Sequence, residues 1–370
     1  MKKTMKLLIG LFLAMTLFYA CDDDDDIVDP VFLSKLEVTE FTSTAMMNNP
    51  MGNSELRKVQ VYTPKDYDPN GSTAYPVVYL LHGLPFSENA FVSKSAWDPW
   101  IGGTSPFQSY PDFPEEGFKS WIDGLIESGK IDPMIIVMPN AMNENFGFSF
   151  YSNSNLNGRF EDYIVNDLVK FVDSNYRTLS NKDGRALIGF SQGAYAAVKF
   201  GMLYPQKFGV VAGHSGLLYL DGILMNGEAF VAENPDGFNG PDPDKFITSA
   251  VYAMSSDWSP NLNNPPFMVD LPFEFPSGDV IAEVRNRWLK QCAFNLMEQH
   301  QAQIRTLNGL YIDCGNQDEL GMMAMVQAFE AKMKALGIEH TFVTFEGGHF
   351  NRLYSRLEIS LAFCSKRMGP

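Results

Sequence analysis

The chain has 370 residues, 45% of them apolar and 19% charged, with 44 Asp+Glu against 28 Lys+Arg and a net charge of −16. This is the composition of a folded globular protein, and the length suits one large α/β domain or two ordinary ones. The acidic balance excludes phosphate backbones, and so nucleic acid, as an expected partner, and four Cys exclude a disulfide-built scaffold.

The N-terminus reads as an address. Lys2, Lys3 and Lys6 precede an uncharged apolar run from Leu7 to Phe18, too short to span a bilayer and typical of a secretory signal. Ala20-Cys21 looks like a bacterial lipoprotein cleavage site, with residues 1–20 removed and lipid on Cys21. The five acids Asp22–Asp26 remain solvated and extended, within an acidic tether over 21–35. Acid runs placed here resemble surface-lipoprotein export signals of the Bacteroides group. The expectation is an outer-membrane lipoprotein exposed at the cell surface, with a periplasm-facing anchor as the alternative.

From 36 to 370 the pattern is one α/β domain. Val59-Gln60-Val61-Tyr62 alternates like an early edge strand. The continuous apolar run at 76–81 predicts a strand buried on both faces, and strand-like apolar runs at 134–138, 185–190, 209–213, 310–314 and 341–345 complete a mostly parallel sheet with helices on both faces. Ile164, Leu168, Phe171 and Val172 share a helix face, and Met322–Leu336 reads as a helix closed by Gly337. About 215–305 is rich in Pro, Asn, Gly and aromatics. It is expected to be a lid-like insertion ending in a helix near Val280–Gln299.

The chemistry centres on Gly189-Phe190-Ser191-Gln192-Gly193, a G-x-S-x-G string between an apolar strand and an Ala-rich helix start. A sharp strand-to-helix turn there would hold the Ser191 hydroxyl clear of the sheet, at a helix N-terminus. A Ser nucleophile needs a base oriented by an acid, and this architecture orders them Ser, acid, His, each after a successive strand. His349 follows the 341–345 strand. Asp318 follows the 310–314 strand, in competition with Asp313 and Glu319. An oxyanion needs two N–H donors. Gln192 supplies one, and Leu84, with Gly83 second, supplies the other, because Pro85 has no N–H. His82, His214, Trp258 and Phe273 are candidate substrate contacts. Each has a plainer reading: His82 as a backbone brace, His214 as a hydrogen-bonded core residue, the aromatics as packing. No metal-ligand or nucleotide motif occurs, so no cofactor or metal is expected.

Tyr75–Gly83, Lys130–Pro139, Phe160–Tyr163, Gly189–Gly193, Asp313–Asp318 and Gly347–His349 resemble the esterase D-type esterases of the α/β-hydrolase superfamily. That family includes S-formylglutathione hydrolases, feruloyl and acetyl-xylan esterases of carbohydrate esterase family 1, siderophore esterases and mycolyltransferases. The likeness covers roughly Leu56 to Leu361, and only parts of the insertion, such as Asn264–Asp270. It implies an α/β-hydrolase fold with Ser191, Asp318 and His349 as the triad. The implied function is a serine ester hydrolase that removes feruloyl or acetyl groups from plant polysaccharide. A siderophore trilactone esterase and a catalytically silent glycan-binding domain are the alternatives.

Overall fold

The computed structural model describes residues 32–84, 86–102, 107–147, 149–224, 226–242 and 244–369. The signal, Cys21 and the acid run lie outside these residues. The folded unit begins at Phe32. The Phe32 carbonyl accepts the Asp66 N–H at 2.8 Å, and Ser34 donates to Asp123 at 2.7 Å, so residues 32–35, expected to close the tether, are part of the fold.

Eight strands form one sheet: β1 (Lys35–Thr42), β2 (Leu56–Thr63), β3 (Val77–Leu81), β4 (Ile135–Pro139), β5 (Arg185–Phe190), β6 (Val210–His214), β7 (Gly309–Gly315) and β8 (Thr341–Phe345). Their spatial order is β1-β2-β4-β3-β5-β6-β7-β8. β1 and β2 are antiparallel to their neighbours and the rest run parallel. The predicted edge strand at Val59–Tyr62 is therefore second in the sheet. One edge, β1, carries the sequence KLEVTEFT and is largely exposed, so no buried apolar run announces it, and the other edge, β8, is only partly buried.

Side-chain alternation along the buried strands builds two cores. Val77, Tyr79, Leu81, Val137 and Leu187 face one side, while Val78, Leu80, Ile136, Met138 and Ile188 face the other. The first face is covered by α2 (the run Phe160–Asp162, Tyr163–Leu168, Val169–Asn175), α3 (Gln192–Leu203), α6 (Ala293–Ile304) and α7 (Met322–Ala335). The second is covered by α1 (Gly117–Glu127) and α8 (Leu353–Ser365). This mostly parallel sheet between two helical layers is the α/β-hydrolase architecture.

The insertion between β6 and β7 is more helical than its Pro and Asn content suggests. It holds α4 (Phe246–Trp258) and α5 (Ala282–Leu289), with a separate apolar cluster beneath them that includes Phe230, Met254, Trp258 and Trp288. The single helix expected near Val280–Gln299 is two, α5 and α6, broken around Lys290–Cys292. Of these, α6 packs on α3 and α7 within the first core and belongs to the body of the fold.

Candidate active site

Strand β5 runs into α3 through one residue, Ser191, at φ 58° and ψ −117°. A non-glycine residue held there is strained by about 1–3 kcal/mol. The approach of the chains explains the two glycines. A Cβ at Gly189 would stand 2.0 Å from the Gly193 carbonyl oxygen, and one at Gly193 would stand 2.1 Å from that of Leu81. The Ser191 N–H donates to the His214 carbonyl at 2.8 Å, which fixes the turn to the end of β6.

The acid and the base sit on loops after β7 and β8. His349 Nε2 lies 3.0 Å from Ser191 Oγ, and His349 Nδ1 lies 2.7 Å from Asp318 Oδ2. A proton on Nδ1 donated to Asp318 leaves Nε2 free to accept from the serine hydroxyl. Burial alone would raise the Asp318 carboxyl. The His349 charge and hydrogen bond, with N–H donation from Met322 and Leu320 to Oδ1, outweigh it and hold the group below its ordinary range. Asp318 is thus an ionised partner for an imidazolium.

The two competitors of Asp318 have other duties. Glu319 accepts the His349 backbone N–H at 2.7 Å. Gln317 N–H donates to the Gly347 carbonyl at 2.9 Å, and Gly347 N–H to Asn316 Oδ1 at 3.3 Å, so the acid and base loops are laced together. Asp313 lies inside β7 and belongs to a second alignment. Ser360 Oγ lies 2.9 Å from His214 Nε2, and His214 Nδ1 lies 2.8 Å from Asp313 Oδ2. It repeats the Ser–His–Asp pattern, but Ser360 and His214 are fully buried and Asp313 is 1% exposed. Arg356 Nη1 pairs with Asp313 Oδ1 at 3.1 Å. Burial would raise the Asp313 carboxyl; the charges of His214 and Arg356 reverse this and lower it.

Ser191 and His349 open onto a cavity of about 280 Å³. Helix α4 forms one wall with Phe246, Ile247, Ala250, Val251 and Met254, one face of a helix by their spacing. Met322 and Met325 of α7, with Phe107, Phe150 and Phe350, form others. Its described lining contains no Lys, Arg, Asp or Glu. Gln192 and Leu84 border the cavity beside Ser191. As the first residue of α3, Gln192 has a backbone N–H with no intrahelical acceptor.

None of the four expected substrate contacts lines this cavity. His214 is held in the buried alignment. His82 is buried between the Gly83 carbonyl, 2.8 Å from its Nδ1, and the Ala141 N–H, which donates to its Nε2 at 3.0 Å. Burial pushes its pKa down to about 4, so it stays neutral and braces the loop that carries Leu84. Trp258 continues the α4 face past the end of the cavity, packs on Phe150, Tyr195 and Trp288, and donates Nε1–H to Ser152 at 3.0 Å. Phe273 borders a separate surface depression with Phe238, Phe267 and Arg287. The α4 residues are foremost among the cavity contacts that the sequence did not single out. The spacing of Phe246, Ile247, Ala250, Val251 and Met254 was the signal available for them.

Fold and site together define an α/β-hydrolase-fold serine hydrolase class. A family profile described as "Putative esterase" matches residues 52–356, and the chain belongs to this esterase family. Among curated proteins, an esterase of Mycobacterium tuberculosis is 33% identical over 162 residues, 43% of this chain and 28% of the relative. A protein of Xylanibacter ruminicola named endo-1,4-beta-xylanase/feruloyl esterase is 28% identical over 50% of this chain and 24% of its own length. The chain thus spans about a quarter of the length of these relatives. Among solved structures, a ferulic acid esterase superposes with a TM-score of 0.59 at 20% identity, over 91% of this chain and all of that one. An S-formylglutathione hydrolase from Staphylococcus aureus superposes at 0.54 and 13% identity, over 90% and 99%. At these identities the structural likeness speaks for the fold alone.

Proposed function

We propose that the protein hydrolyses carboxylic esters through an acyl-enzyme and that its acyl group is bulky and apolar, of the feruloyl kind. The observation that carries this is the Ser191–His349–Asp318 hydrogen-bonded chain opening onto an uncharged, Phe- and Met-rich cavity. His349 Nε2 takes the hydroxyl proton as Ser191 Oγ attacks the ester carbonyl. The N–H groups of Gln192 and Leu84 stabilise the oxyanion. The imidazolium, held by Asp318, returns its proton to the leaving alcohol, and water deacylates the serine by the same route.

The apolar walls suit a flat phenylpropanoid, whereas an acetyl group would leave most of the space unfilled. The likeness to a relative named for xylanase and feruloyl esterase activity supports esters carried on plant polysaccharide. The N-terminal signal pattern, Cys21 and Asp22–Asp26 support lipid anchoring and display at the outer surface, where such polymers are met. Hydrolysis of methyl ferulate and of acetylated xylan tests the reading. Release of ferulate at a kcat/KM well above that for acetate is expected, lost in Ser191→Ala. Inactivity on both, with cleavage of a ferric-siderophore trilactone, would replace it.

A further inference from the structure

The buried alignment does not end on itself. Arg356, 3% exposed, reaches from α8 in three directions. Nη1 donates to Asp313 Oδ1 at 3.1 Å and to Ser215 Oγ at 3.0 Å, and Nη2 donates to the backbone carbonyl of His349 at 3.1 Å. Its guanidinium lies over the rings of Phe345 and Phe190, 4.6 and 5.8 Å from their centroids. The same region grips the nucleophile, since the His214 carbonyl accepts the Ser191 N–H and Ser215 N–H donates to the Asp313 carbonyl at 2.8 Å. One charged side chain therefore ties the base-bearing loop to the ends of β6 and β7, next to the serine turn.

We propose that Arg356 is a positioning residue for ester hydrolysis: anchored by Asp313 and Ser215, it fixes the His349 backbone so that the imidazole meets Ser191 Oγ in line. The proposal rests on the reading of Ser191, His349 and Asp318 as the catalytic groups. The physical case is one of rigidity. A carbonyl held by a charge-assisted donor inside a low-dielectric interior has little freedom to rotate. Loop displacement of about 1 Å between base and nucleophile costs on the order of 100-fold in rate. A planar guanidinium serves three acceptors at fixed angles, which an ammonium does not.

The test uses the whole chain with p-nitrophenyl acetate, rates being expressed per active site titrated with a fluorophosphonate, so that unfolded protein does not count. Arg356→Met is expected to lower kcat by about 10- to 100-fold with KM within about twofold, the signature of lost transition-state geometry. Millimolar guanidinium should restore part of the rate, and Arg356→Lys should fall between. Ser215→Ala, which removes one acceptor and leaves the ion pair, should lower kcat several-fold and stays informative if both Arg356 variants fail to fold. Wild-type kcat per titrated site in the variants that fold, with only a lower melting temperature, would overturn the proposal and leave Arg356 as scaffold. Retained activity in Ser191→Ala would instead sink the reading beneath it.

Discussion

The two Ser–His–Asp alignments in this molecule use the same residue types at nearly the same distances. Ser191–His349–Asp318 spans 3.0 and 2.7 Å, and Ser360–His214–Asp313 spans 2.9 and 2.8 Å. What separates them is everything around the hydroxyl. Ser191 sits at positive φ, at a helix N-terminus, on the wall of a cavity. Ser360 lies inside α8, fully buried, with its Oγ donating to the Leu357 carbonyl at 3.1 Å. The comparison teaches that the hydrogen-bonded trio alone is not a nucleophile. Strain, access and unpaired N–H groups near the hydroxyl make it one, and without them the trio is a buried polar tie.

Removing each serine in turn separates the two alignments most strongly. Ser191→Ala should lower kcat by roughly 10⁴- to 10⁶-fold. Ser360→Ala should leave kcat within about threefold and cost stability of about 1–2 kcal/mol by orphaning a buried imidazole nitrogen. Esterase rates and urea melts decide it; comparable rate losses would dissolve the distinction. The acids come next. Asp318→Asn should cost about 10³- to 10⁴-fold in kcat through loss of the imidazole's orientation. Glu319→Gln, next to it and bonded only to backbone, should cost less than about tenfold. An inverted order would make Glu319 the acid.

A third comparison sets α4 against the machinery. Ala250→Phe should cut kcat/KM for methyl ferulate by at least about tenfold while leaving p-nitrophenyl acetate within about threefold, because only the larger acyl group needs that space. Equal losses on both would show that α4 does not select the acyl group. The smallest effect concerns His82. Its pKa falls from 6.5 to about 4 on folding, so its stabilisation is complete above pH 6.5 and is lost as pH falls toward 4. His82→Asn should show a flatter dependence of melting temperature on pH across that window than the parent.

Much of this was legible in the sequence because it is written in period and order. The cores of strands β3 to β6 are apolar runs, since both faces of each are covered, and β7 departs from that pattern only at Asp313. Ser191 and His349 follow from strand–loop order, and Asp318 stands on a loop after its strand whereas Asp313 falls within one. β1 was missed because an exposed edge needs no apolar signal. The His214–Asp313–Arg356–Ser360 cluster was missed because its partners lie 43 to 146 residues apart and buried polar contacts have no period. Trp258 and Phe273 lie off the cavity, and composition could not place them, because it says that a segment is aromatic, not where its cavity stops.

Walls and machinery are partly separated along the chain. The cavity residues from Leu217 to Met254 form one uninterrupted stretch between the serine turn and the laced acid and base loops. Substitutions along that stretch change much of the cavity wall while leaving Ser191, Asp318 and His349, which lie outside it, as they are.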